Sequence, residues 1–167
     1  MEKAKRWLPL IAGFLGVLAI VFLALPGLKG YYWNDNSYFH GKAEGYALIF
    51  GGEVSYVVDG KTMIAWNYFD FSFINFMGWL FLVMGVLWTF ISLKADVKWL
   101  KISSIILFLT ASFIFCHIRY NIKIKSGIAM FLNGGLGVGM ILPAMFSFFA
   151  GIAILISIFI HTEEKAN

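Results

Sequence analysis

Charged residues are missing from four long stretches of this chain: Trp7 to Leu28, Phe71 to Leu93, Ile102 to Ile118 and Ser126 to Thr162. A helix needs about 20 apolar residues to cross the hydrocarbon core of a bilayer, and each stretch is near or above that length. Four spanning helices are therefore predicted, over about 7–25, 71–93, 99–118 and 137–160. With 60% hydrophobic, 19% aromatic and 13% charged residues, the chain has too little polar surface to build a water-facing exterior. The predicted fold class is an all-α transmembrane four-helix bundle carrying a small extracytoplasmic antiparallel β-sheet. It forms a single membrane domain over residues 1–167.

The leader MEKAKR followed by an apolar run has the outline of a secretory signal. That run exceeds the roughly 7–15 residues of a signal's apolar region, and LALPGLKG offers no small-x-small cleavage site. It is read as an uncleaved helix ended by Pro26 and Gly27. Lys3, Lys5 and Arg6 beside this helix place the N-terminus in the cytoplasm, and four crossings return the C-terminus there. Residues 26–70 and 119–126 are then extracytoplasmic. The last uncharged stretch, at 37 residues, is too long for one crossing, so Ile128 to Leu132 are expected to lie along the outer interface. Cys116 is the only cysteine, which excludes an intrachain disulfide. Eleven Lys against two Arg, with abundant Phe, Ile and Asn, suggest a bacterial plasma membrane.

The first external segment departs from a plain bundle. YALIF (Tyr46 to Phe50), EVSYVV (Glu53 to Val58) and KTMIAW (Lys61 to Trp66) are rich in β-branched and aromatic residues and are separated by GG and DG. Both dipeptides suit hairpin turns with positive φ, so a three-stranded meander is predicted. LKGYYW is a candidate fourth strand, weakened by Gly30. In the second external segment RYNIKIKS (Arg119 to Ser126) alternates polar and apolar residues, which predicts an edge strand that protects the sheet. The first segment carries Asp35, Glu44, Glu53, Asp59 and Asp70, whereas the second carries Arg119, Lys123 and Lys125 without an acid. The two are complementary in sign.

Four helices, a large first loop supplying most of a sheet and a second loop adding one strand: this layout resembles the claudin and peripheral-myelin-protein architecture. The resemblance is one of layout over most of the chain. The claudin loop's Trp-Gly-Leu-Trp and paired-cysteine signature is absent, and Tyr31, Tyr32 and Trp33 are aromatic without matching it. What the resemblance implies is the shape alone.

No Asp, Glu, Lys or Arg lies within the spanning stretches, whereas pumps and intramembrane enzymes usually leave an ionisable group there. Asn75 and Asn133 are the most polar side chains near membrane depth and are read as helix-end or helix-to-helix hydrogen-bonding groups. Cys116 and His117 point about 100° apart on a helix, which disfavours a nucleophile and base pair. With this topology His40 and His117 lie outside and His161 inside, so the three cannot share one metal. NGGLGVGM (Asn133 to Met140) lacks the Lys-Ser/Thr ending of a phosphate loop. Gly135 and Gly139, with Ser147 and Gly151, are instead spaced for close helix packing.

The candidate interaction surface is Tyr31, Tyr32, Trp33, Lys123 and Lys125. The expected function is non-enzymatic: assembly or partner binding through the external β-domain and helix faces, with copies of itself or a membrane complex. The alternative is a protein that handles a lipid or small molecule, such as a transporter accessory subunit or membrane enzyme. No cofactor and no nucleic-acid partner is expected; the lipid bilayer is.

Overall fold

The computed structural model describes residues 2–34, 37–58, 60–95, 97–122 and 135–166. In chain order the elements are α1 (Glu2–Phe22), β1 (Pro26–Asn34), β2 (Ser37–Glu44), α2 (Ala47–Phe50), β3 (Gly52–Val58) and β4 (Lys61–Phe69). These are followed by α3 (Phe73–Ala95), α4 (Lys98–Cys116), a 3-10 turn (Ile118–Asn121), β5 (Gly135–Leu136) and α5 (Val138–Ala166). The protein is mostly helical with one small antiparallel sheet. It divides into two compact units. The helical unit comprises Met1–Val21, Gly78–Phe113 and Pro143–Asn167, and the sheet unit comprises Phe22–Met77 and Ile114–Leu142.

Among the described residues three helical stretches are long and apolar enough to cross a membrane: Phe73–Ala95, Lys98–Cys116 and Val138–Ile160. The apolar run of α1, Trp7–Phe22, is shorter. Small residues close the interior of the helical unit. Ala12 and Ala19 are fully buried, and a Cβ on Gly16 would collide with Val86 and lie 2.9 Å from the Phe108 ring. Gly13 sits against Phe90 and Gly16 against Val86, so α1 and α3 run antiparallel. Ser112 donates its hydroxyl to Ala144 O at 2.8 Å, and Gly151 lies against Leu109, which makes α4 and α5 antiparallel too.

Other buried hydroxyls of this unit return to their own helix: Thr89 donates to Gly85 O (2.7 Å), Ser104 to Leu100 O (2.9 Å) and Ser147 to Pro143 O (2.7 Å). Each polar group is thereby satisfied without water. The outside of the unit is apolar, with Phe14, Phe113 and Phe159 all more than 60% exposed.

In the sheet unit five strands among the described residues pair antiparallel in the order β4-β3-β2-β1-β5. LKGYYW lies in β1, while EVSYVV and KTMIAW lie in β3 and β4. The β3–β4 connection passes through Gly60 at φ 78°, a left-handed conformation that glycine adopts without strain. Alternation gives the sheet two unlike faces. Leu28, Ala43 and Val54 are buried, whereas Lys29, Lys42, Glu44, Glu53 and Ser55 are exposed.

Three expectations are corrected. YALIF is not a strand: Ala47–Phe50 form the short helix α2, closed by Phe50 N–H to Tyr46 O at 2.9 Å. Leu48 and Ile49 are consecutive and both fully buried, which a one-sided strand cannot achieve. The GG pair accordingly marks the exit from α2, with Gly51 at φ 79°, and not a hairpin.

The expected strand over 119–126 also fails at its start, because Arg119, Tyr120 and Asn121 belong to the 3-10 turn. There Tyr120 N–H donates to His117 O (3.0 Å), and buried Ile118 holds the turn against the unit's interior. Ile122 is extended, and Lys123 to Ser126 lie outside the described residues. The strand on the other side of β1 is Gly135–Leu136, outside the expected 119–126, paired to Lys29 and Leu28.

Gly135 is therefore not a helix-packing position; a methyl group there would meet nothing within 4 Å. Gly139 does pack closely, against backbone: a Cβ on it would collide with Leu25 O. The same junction carries Gly45 N–H to Leu25 O (3.1 Å), Tyr46 N–H to Leu23 O (3.1 Å) and Gly137 N–H to Gly27 O (2.7 Å). The end of α1, the β2–α2 turn and the start of α5 are thus tied together main chain to main chain.

Candidate functional site

The exposed face of the sheet holds a concave groove of about 290 Å³ where β2 and β3 part around α2. Strand register explains its chemistry. Gly135, Lys29, Lys42, Ser55 and Ile64 form one rung across all five strands. Lys29 directly opposite Lys42 sets two like charges side by side. Continuing the β2–β3 register from Lys42 and Ser55 by two residues brings Glu44 and Glu53 to facing sides of the groove. Rungs two residues apart are about 6.5 Å apart along the strands. The groove thus has a lysine and a serine at one end and two carboxylates at the other.

Its wall is aromatic. Tyr46 and Phe50 stack with ring centroids 6.2 Å apart and an interplanar angle of 26°, and both line the groove. They are one helical turn apart, so α2 puts them on the same side. Partial burial pushes the Tyr46 phenol above its ordinary pKa, because the phenolate would lose hydration. Glu44 and Glu53 form no ion pair among the described residues.

A buried polar cluster fixes α2 behind the groove. Asn75 in the first turn of α3 donates Nδ2–H to Leu48 O at 2.9 Å, meeting a carbonyl that so short a helix cannot satisfy itself. Ser72 caps α3 by accepting Asn75 N–H at 3.4 Å, donates Oγ–H to Asn121 O at 2.9 Å, and gives its own N–H to Ile49 O at 3.2 Å. Asn75 Oδ1 is buried with no hydrogen-bond partner among the described residues.

Of the residues singled out by sequence, Tyr31, Tyr32 and Trp33 are on β1, paired in backbone register with His40, Phe39 and Tyr38. Lys123, Lys125 and Asn133 lie outside the described residues. Cys116 is exposed at the end of α4, and the neighbouring His117 ring lies 6.2 Å from that of Tyr120. No group of three or more His, Cys, Asp or Glu among the described residues is placed to hold a metal ion. Ser147 is buried on α5, and Gly151 packs against Leu109.

The groove escaped sequence reading, although its signal was present. KAE and EVS each alternate charged or polar residues with small or branched apolar ones, but only the register shows that the two segments share an edge. Comparison with protein-family models, with characterised proteins and with solved structures gives no match.

Proposed function

We propose that this protein is a multi-pass membrane protein of four spanning helices that acts without catalysis, engaging a partner through an extracytoplasmic sheet. The claudin-like layout is offered as an architectural analogy. Membrane insertion is supported by the apolar exterior of the helical unit, since a solvent as apolar as Phe14, Phe113 and Phe159 removes the cost of exposing them.

The observation that carries partner binding is the state of β4. Met63 and Ile64 are consecutive and each about half exposed, so both faces of the strand are open at these two positions, whereas Tyr68 and Phe69 at its end are buried. No described strand pairs with its outer edge. A nine-residue edge strand whose only charge is Lys61 has little of the protection that keeps sheet edges from pairing with other chains. A partner strand, from a second copy or another membrane protein, fits this edge.

Native mass spectrometry from nanodiscs tests the reading. The wild-type chain is expected above its single-chain mass of 18.8 kDa, and Ile64→Lys is expected to shift it to that mass without lowering the melting temperature. Detection of the wild type as a lone chain would refute the proposal. Membrane-impermeant labelling of Lys61→Cys in a Cys116→Ala background tests the topology; labelling only after lysis would reverse it.

A further inference from the structure

The groove beside α2 has a composition that assembly through β4 does not call for. Two carboxylates, Glu44 and Glu53, converge on one end of a concavity and form no ion pair among the described residues, with Lys42 one rung away at the other end. Facing carboxylates on neighbouring strands repel, and a bound cation relieves that repulsion. The choice of cation follows from the rest of the lining. A divalent metal needs six or more oxygen ligands for calcium, or octahedral coordination for magnesium, and Lys42 close by opposes a bare metal charge. An ammonium group is better served: it can donate to both carboxylates while its carbon atoms lie against the Tyr46 and Phe50 rings. At the other end Lys42 and the Ser55 hydroxyl are donors suited to an anionic oxygen. The volume of about 290 Å³ suits a head-group-sized molecule and not a long chain.

We propose that this groove binds the dipolar head of a primary aminoalkyl phosphate, with the ammonium between Glu44 and Glu53 and the phosphate at Lys42 and Ser55. The short α2 sets the site's shape, and the Asn75 to Leu48 hydrogen bond holds α2 in place. A quaternary ammonium fits less well because it has no N–H to give the carboxylates, whereas aromatic contact alone would favour it.

The test uses the full-length protein in detergent, with thermal melting and isothermal titration against phosphoethanolamine, phosphocholine, ethanolamine, inorganic phosphate and calcium. Phosphoethanolamine is expected to raise the melting temperature in a concentration-dependent manner. Phosphocholine and the separate halves should bind about tenfold or more weakly, as expected for loss of a hydrogen-bonded charge contact. Glu44→Gln with Glu53→Gln, and separately Lys42→Gln, should each weaken phosphoethanolamine by a similar factor; all three positions are exposed and the changes are isosteric or nearly so. Lys61→Gln, outside the groove, should leave binding unchanged.

Nanodiscs distinguish the source of the head group. If phosphatidylethanolamine discs stabilise the wild type over phosphatidylglycerol discs, but not the double glutamine variant, and added phosphoethanolamine has no further effect, the ligand is a lipid head group. If the free compound still adds stability in those discs, it is a soluble molecule. Either result supports the proposal. Equal binding of inorganic phosphate, equal stabilisation by calcium, or undiminished binding by the glutamine variant would overturn it.

Discussion

The two units solve the burial of polar backbone in opposite ways. In the helical unit every helix satisfies its own main chain, hydroxyls such as Thr89 and Ser147 fold back onto carbonyls one turn away, and contact between helices is made by side chains against small residues. In the sheet unit the decisive contacts run from backbone to backbone across distant segments, as at Gly45, Gly137 and Gly139. The first arrangement tolerates an apolar exterior, because hydroxyls such as Thr89 and Ser147 are already paired within their own helices. The second leaves charges free to face out on one side, which is where Lys42, Glu44 and Glu53 stand.

If that contrast is right, the same substitution should behave differently in the two units. Gly139→Ala places a methyl group into Leu25 O, a main-chain atom that cannot rotate away. A loss of about 3 kcal/mol is expected, at the upper end of overpacking costs, with a large fall in melting temperature. Gly135→Ala, four residues earlier and with open space around it, should stay within about 0.5 kcal/mol of wild type. Equal effects at the two glycines would mean that the junction is loose.

Hydrogen-bond deletions sharpen the comparison at smaller magnitude. Asn75→Ala leaves the Leu48 carbonyl buried without its donor, at an expected cost of about 1–3 kcal/mol. Ser112→Ala removes a bond between helices whose acceptor, Ala144 O, lies inside α5 and keeps its helical partner; about 0.6 kcal/mol is expected. Chemical denaturation of both variants in one detergent decides this, and a larger loss at Ser112 would reverse the ranking of the units.

Gly151→Ala should move the other way. The nearest atom to the added methyl is Leu109 Cδ2 at 3.2 Å, the tip of a side chain that can turn, while alanine favours a helix over glycine by about 1 kcal/mol. A small rise in melting temperature is expected, and a fall comparable to that of Gly139→Ala would show that helix contacts are as unyielding as backbone ones.

These contrasts also explain what could be read from the sequence. The uncharged runs announced helices because local composition alone decides whether a segment can face an apolar medium. β3 and β4 were legible through alternation and the glycine of their turn. Tyr46 to Phe50 misled because short apolar runs fit strand and helix equally, and only the simultaneous burial of Leu48 and Ile49 separates them. RYNIKIKS misled in the same way, since Ile118, just before it, anchors a 3-10 turn that uses up Arg119 to Asn121. Gly135 and Gly139 matched a helix-packing spacing, yet the partner of Gly139 is a main-chain atom over a hundred residues earlier, which no periodicity records. The groove was hidden for a related reason: its carboxylates meet through strand register, and its aromatic wall exists only because α2 is helical.

The smallest expected effect uses the distribution of tyrosine. All seven tyrosines, at 31, 32, 38, 46, 56, 68 and 120, fall in the sheet unit, so phenol titration reports on that unit alone. Partial burial pushes the Tyr46 phenol above its ordinary pKa. In the unfolded chain its phenol ionises near pH 10. Between that pH and its higher folded pKa, the unfolded state has released the proton and the folded state has not, so stability declines as pH rises. The contribution is complete below about pH 10 and is lost as pH climbs through the folded value. Tyr46→Phe removes the titration and should flatten the alkaline limb of a stability profile measured from pH 8 to 11, with little change below pH 9. If Tyr46→Phe keeps the wild-type slope, the Tyr46 hydroxyl is as hydrated in the folded protein as in the unfolded chain, and the groove wall is open to water in a way that the stacked Tyr46 and Phe50 rings do not predict.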